Sequence, residues 1–221
     1  MEIAKGKKTE KLPDEDLVEV LSGYQEVAAD LGCGDGKFAY EMARRNPDVL
    51  YVGIDADRNN LVKYASRIVR KRSRGGLDNV IYLISNVETL PSVLDGKFTQ
   101  IWIILPWGSL LDGIVNTRED YMNNIRRIGV EGSALHIYLN YDLKYEPVEM
   151  ERKGLPELTP EFVTDKMIPS IQSFGFQLKD WEFMRNEEVT SLPSTWTRKL
   201  AYGRERSTLR IEAEKRGDPW L

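Results

Sequence analysis

Five runs of nearly uninterrupted apolar residues, "EVAADLG", "VLYVGID", "NVIYLIS", "TQIWIILP" and "SALHIYLN", follow one another along the chain. No other feature constrains the fold as much. A strand that is apolar on both faces must be covered on both, and helices packed on each side of a parallel sheet do this. Helical patterns fall at about 36–45, 57–72, 117–129 and 160–174. Two later runs, "FQLKDWEFM" and "STLRIEAE", alternate more strongly and have no helix between them, so they predict an antiparallel pair at one end of the sheet. The expectation is an α/β fold with a seven-stranded, mostly parallel, doubly wound sheet whose last strand is antiparallel. A chain of 221 residues fits one such domain over 1–221, with an N-terminal extension at about 1–23 and irregular inserts at about 140–159 and 186–206. Both inserts follow the C-terminal ends of strands, the edge where these sheets bind ligands.

The first strand runs into "DLGCGDG", where Gly32, Gly34 and Gly36 let the backbone turn tightly before a helix. A dinucleotide loop needs G-x-G-x-x-G, and the spacing here is G-x-G-x-G. Asp30 would repel a pyrophosphate but would pair with the amino group of an amino-acid-bearing cofactor, so S-adenosylmethionine fits better than NAD. Asp55 ends the second strand about twenty residues beyond the loop, the place from which a carboxylate holds ribose hydroxyls. Its alternative role is to cap the next helix, which Asp57 can equally do. Asn86, Val87 and Glu88 follow the third strand, beside the expected adenine ring.

The fourth strand ends in Leu105-Pro106-Trp107, which keeps the proline and aromatic common in amino-group methyltransferases but lacks their Asn or Asp. The methyl acceptor is therefore expected to be a ring nitrogen with a free lone pair, which needs orientation rather than a general base. Trp102, inside the strand, is assigned to the core, and His136 to strand packing. A net charge of −4 argues against nucleic-acid binding through bulk charge, so local charge must decide. Lys63, Arg67, Arg70, Lys71 and Arg74 recur at helical spacing with no acidic residue among them, and Arg198, Lys199, Arg204 and Arg206 surround Trp196. Basic residues interleaved with an aromatic suit a phosphate backbone with a base stacked between contacts. Cys33 is the only cysteine, which excludes a disulfide and a four-cysteine zinc site, and no metal is expected. No apolar stretch reaches membrane-spanning length and no signal peptide opens the chain, so a cytoplasmic protein without membrane association is expected.

"DLGCGDG", "YVGID", "RKRSRGGLDNV", "LPWGSLL", "RKGLPELT" and "STWTRKLAYGRERS", in this order, resemble the Kam/Npm family of aminoglycoside-resistance 16S rRNA adenine-N1 methyltransferases. The resemblance runs from the first residues to about Ile211. It implies a class I, Rossmann-like, S-adenosylmethionine-dependent methyltransferase that acts, as a monomer, on N1 of an adenosine in the decoding-site helix of the 30S subunit, blocking kanamycin and apramycin. It implies cofactor contacts at Asp30, Gly32, Asp55, Val87, Glu88 and Ser109, with Cys33, Gly34, Asn86 and Leu105 grouped beside them. Trp107 and Trp196 would contact the target base, with Ser194 nearby. Arg67, Arg70, Lys71, Arg74, Lys153, Arg204 and Arg206 would dock RNA, with Glu146 close to the extruded nucleotide. The alternatives are a tRNA guanine-N7 methyltransferase, suggested by "MARRNPDVLYVGID", and a homologue that binds cofactor and ribosome but methylates little.

Overall fold

The structure is a computed structural model that describes residues 1–197 and 206–217. All seven expected strands form: β3 (Glu26–Leu31), β4 (Val49–Asp55), β5 (Val80–Ile84), β6 (Phe98–Ile104), β7 (Gly129–Leu139), β8 (Phe176–Arg185) and β9 (Ser207–Lys215). Two more precede them, because the expected N-terminal extension folds into a hairpin, β1 (Glu2–Lys5) and β2 (Lys8–Lys11), followed by helix α1 (Asp14–Ser22). The sheet therefore has nine strands, not seven, in the order β2-β1-β5-β4-β3-β6-β7-β9-β8. β3 to β7 run parallel, and β9 is antiparallel to both β7 and β8. The antiparallel pair is thus where the sequence puts it, with the last strand inserted between its neighbours.

One face of the sheet is covered by α2 (Lys37–Arg45) and α3 (Arg58–Ile68), which bury Ala39, Tyr40, Leu61 and Tyr64 against Ala28, Tyr51 and Tyr82. The other carries α4 (Gly108–Val115), α5 (Glu119–Ile128), and the segment α7 (Pro160–Phe162), π-turn (Val163–Met167) and α8 (Ile168–Ser173). Their apolar side chains join Leu17 and Leu21 of α1 over Leu31, Ile54, Ile103 and Ile137. α6 (Pro147–Lys153) lies within the first insert and α9 (Asn186–Val189) within the second. Among the described residues no helix is long and apolar enough to cross a membrane.

α3 stops at Ile68, earlier than the expected residue 72, and Arg72–Arg74 form a separate 3-10 turn. Arg70, Lys71 and Arg74 consequently stand on an exposed turn instead of a helix face. Nor is the basic stretch without acidic partners. Lys63 bridges to Asp35 at 3.1 Å and Arg72 to Asp78. His136 packs as expected, its ring stacked on Trp102 with centroids 3.9 Å apart, and burial holds its pKa below the usual histidine value.

Candidate active site

A cavity of about 810 Å³ opens at the C-terminal edge of the parallel strands. Its floor is the glycine loop. Gly32, Gly34 and Gly36 have φ of +68°, +56° and +75°, and a Cβ on Gly32 would sit 2.5 Å from Leu110 Cδ2. The loop amides point to the chain itself. Gly32 and Cys33 donate to the Ile54 carbonyl at 2.8 and 3.1 Å, and Gly34 donates to Asp55 Oδ2 at 2.8 Å. At the start of α2, the Lys37 amide donates to Asp35 Oδ1 at 3.2 Å and the Ala39 amide to the Asp30 carboxyl. A helix N-terminus whose amides are already taken by carboxylates does not receive a pyrophosphate. The carboxylates at this helix end disfavour the dinucleotide mode, as the glycine spacing does.

Two carboxylates lie at this end of the cavity. Asp55 lines it, anchored through Oδ1 by the Asp57 amide at 2.9 Å and Asn60 Nδ2 at 3.2 Å. The cap of α3 falls to Asp57, which accepts from the Asn59 amide, so Asp55 is released from that role. Asp30 is 2% exposed beneath the loop, with Oδ2 buried and unpartnered. Burial first, then the neighbouring Asp55, push its carboxyl up to about 8. An orphaned buried carboxylate beside a second one fits a cofactor with a cationic amino-acid end. Neither Asp30 nor Cys33 lines the cavity. The Cys33 sulfur turns away toward Gly53, and burial pushes its thiol up.

Asn86, Val87 and Glu88 form one wall, on a 3-10 turn (Val87–Thr89) whose Val87 and Glu88 carbonyls both accept from Asn124 Nδ2 at 2.9 Å. Ser109 and Leu105 lie across from them. The Tyr121 hydroxyl donates to Glu88, and burial pushes its pKa up to about 12. Gly113 makes room for that ring, since a Cβ there would fall 2.4 Å from it. Sequence reasoning missed Tyr121 and Asn124; their helical spacing marks them only as helix residues.

The rim carries two half-exposed indoles, Trp107 at 52% and Trp196 at 54%. Trp107 follows Leu105, a non-glycine residue at φ +50°, which ends β6 and swings the chain outward. Trp196 sits on a helical turn at 195–197, with Nε1 3.9 Å from the position a Cβ on Gly34 would take. Ser194 is buried, and its Oγ accepts from the Trp196 amide at 3.2 Å instead of lining the cavity. The expected RNA-docking residues separate into two groups. Arg70, Lys71 and Arg74 are exposed, while Arg67 is half-buried with its guanidinium 4.7 Å over the Tyr40 ring. Lys153, Glu146 and Arg206 instead turn inward. Lys153 Nζ donates to the Gly108 carbonyl at 2.8 Å, bracing the turn that bears Trp107. Glu146 and Arg206 pair across the cavity mouth and join the two inserts. Arg198, Lys199 and Arg204 lie outside the described residues.

Fold and site together define a Rossmann-like methyltransferase that uses S-adenosylmethionine. Residues 2–215 match the family model described as NpmA, 16S rRNA (adenine(1408)-N(1))-methyltransferase. A 16S rRNA (adenine(1408)-N(1))-methyltransferase of Escherichia coli is 33% identical over 96% of this chain and 97% of its own. Among solved structures, the 16S rRNA methyltransferase KamB superposes with a TM-score of 0.89 at 31% identity, covering 98% of this chain and 100% of that one. A 16S rRNA (adenine(1408)-N(1))-methyltransferase variant from Catenulisporales acidiphilia, solved with its cosubstrate SAM, superposes with a TM-score of 0.87 at 28% identity, covering 99% and 98%. The chain belongs to the 16S rRNA (adenine(1408)-N(1))-methyltransferase family. Four relatives named tRNA (guanine-N(7)-)-methyltransferase align over only 36% to 48% of the chain, which sets that alternative aside.

Proposed function

We propose that this chain methylates N1 of adenosine 1408 of 16S rRNA within the assembled 30S subunit, as a monomer in the cytoplasm, and thereby confers aminoglycoside resistance. The observation that carries the reading is the pair of half-exposed tryptophans on one cavity rim, Trp107 from the end of β6 and Trp196 from the insert before β9. An adenine in a helix offers N1 only when extruded, and an extruded base needs partners to replace its lost stacking. One indole on each face supplies them, each worth roughly 1–3 kcal/mol. S-adenosylmethionine supplies an electrophilic methyl group. Asp55, Val87, Glu88 and Ser109, which line the cavity, would hold and orient it, with Tyr121 fixing Glu88 and Asp30 lying beneath the glycine loop. N1 attacks through its own lone pair, so the protein needs no base; its task is to align the ring and exclude water. Transfer leaves the purine cationic, and the faces of Trp107 and Trp196 stabilise that charge. The exposed Arg70, Lys71 and Arg74 grip the phosphate backbone at a distance from the cavity.

The test is primer extension on 16S rRNA after incubating purified 30S subunits with the protein and S-adenosylmethionine. A stop next to adenosine 1408 is expected. Trp107→Ala and Trp196→Ala are each expected to fold, bind cofactor and dock nearly normally yet lose the stop, with Phe at either position retaining part of it. Normal docking without a stop in the wild type would identify instead a ribosome-binding homologue without this activity.

A further inference from the structure

The loop that cradles the cofactor and the loop that carries Trp196 share one carboxylate, although 160 residues separate them. Asp35 stands between Gly34 and Gly36. Its Oδ2 accepts from Thr195 Oγ1 at 2.8 Å and from Lys63 Nζ at 3.1 Å, and its Oδ1 from the Lys37 amide at 3.2 Å. Thr195 immediately precedes Trp196. The turn around it is tied to itself, with Thr197 Oγ1 donating to the carbonyls of Leu192 and Ser194 at 2.7 and 3.0 Å and Ser194 Oγ accepting from Trp196. The turn is held by this internal bonding and by the burial of Val189, Ser194 and Thr197, and the Thr195–Asp35 bond ties it to the glycine loop. A charge-assisted bond to a half-buried carboxylate is the strong kind. Apart from Thr195, Asp35 is held by the Lys63 ammonium and the Lys37 amide, so it is anchored on the glycine-loop side independently of the turn.

We infer that Asp35 and Thr195 are positioning residues that set Trp196 relative to the glycine loop, so that target base and transferable methyl are aligned by one piece of backbone. The inference rests on the proposed role of Trp196. Asp35 lies outside the cavity lining. Its effect reaches the reaction through the indole, whose Nε1 lies over Gly34, the loop residue next to it.

Thr195→Val removes the hydroxyl at nearly constant volume. Melting temperature, cofactor affinity by calorimetry and 30S binding are expected to stay near wild type, while single-turnover methyl transfer on 30S slows about 10- to 100-fold, the range for an ångström-scale misplacement. Thr195→Ser is expected to restore most of the rate. Combining Asp35→Ala with Thr195→Val is expected to give a rate no lower than the slower single variant, since the bond that Thr195→Val removes is already lost in Asp35→Ala. An unchanged rate in Thr195→Val, full additivity in the double variant, or a lower melting temperature with unchanged turnover of the folded fraction would each overturn the inference. A wild type inactive on 30S would overturn the proposed function and this inference with it; an active wild type with an indifferent Thr195→Val would overturn the inference alone.

Discussion

Asp30 carries a large charge anomaly beneath the glycine loop. An ordinary aspartate releases its proton near 3.8, whereas this one holds it to about 8 in the folded chain. Below about 4 both folded and unfolded chains are protonated there and the group contributes no difference. Between about 4 and 8 the unfolded chain ionises freely while the folded chain resists, so stability without cofactor falls as pH rises, by up to about 1.4 kcal/mol per pH unit. Asp30→Asn is expected to flatten that decline in melting curves taken from pH 4 to 8, and to weaken S-adenosylmethionine binding. A wild-type curve that rises over this interval would show that Asp30 ionises normally. Cofactor binding at pH 7 is further expected to release close to one proton, read from calorimetry in buffers of different ionisation enthalpy. The Asp55 carboxylate holds the Gly34 and Asp57 amides. Asp55→Ala is expected to cost roughly 1–3 kcal/mol of cofactor affinity through lost acceptors. Unchanged affinity would remove it from the site. Much of this scale was readable in the sequence, since Gly32, Gly34, Asp55 and Glu88 lie at fixed offsets from strand ends. The Asp35–Thr195 and Tyr121–Glu88 bonds were not readable, because each joins residues brought together only by the closed sheet.

The parallel strands were legible because burial on both faces leaves an uninterrupted apolar run. The N-terminal hairpin was not. In "EIAK" and "KTEK" only Ala4 is buried, and β2 is wholly exposed as an edge strand, so no apolar stripe announces it. α4 escaped for another reason: "GSLLDGIV" follows the β6 end directly and reads as loop around its glycines. The overlong expected helix at 57–72 came from the run of arginines and lysines, which have good helix propensity but no apolar partner beyond Ile68. The correction sharpens the RNA-docking test. Arg67 packs over Tyr40, so reversing its charge disturbs the core as well as the surface. Arg70→Glu with Lys71→Glu, on the exposed turn, is expected to weaken 30S binding with an unchanged melting temperature and a shallower salt dependence. Unaltered 30S binding at low salt would exclude this turn from the interface. The inserts behave as one element through Glu146 and Arg206. Glu146→Ala is expected to impair methylation more than cofactor binding, because it leaves an unpaired guanidinium at the cavity mouth.

At the scale of the whole molecule, an acidic chain of net charge −4 acts on the most anionic of substrates. Arg70, Lys71 and Arg74 gather on the exposed turn after α3, so orientation matters more to encounter than total charge does. The insertion of β9 between β7 and β8 has a different consequence, for the birth of the protein. The strand that follows β7 and β8 in the chain fills the place between them, one strand in from the edge of the sheet, pairing six residues with β7 and nine with β8. Until residue 215 has been made, β7 presents an open edge and β8 has nothing to join. A nascent chain is therefore unable to close this half of its sheet, and the same strand delivers Arg206 to the cavity mouth and ends the Trp196 insert. This half of the sheet closes in one late, non-local step, with slow folding and a transiently sticky sheet edge as the cost.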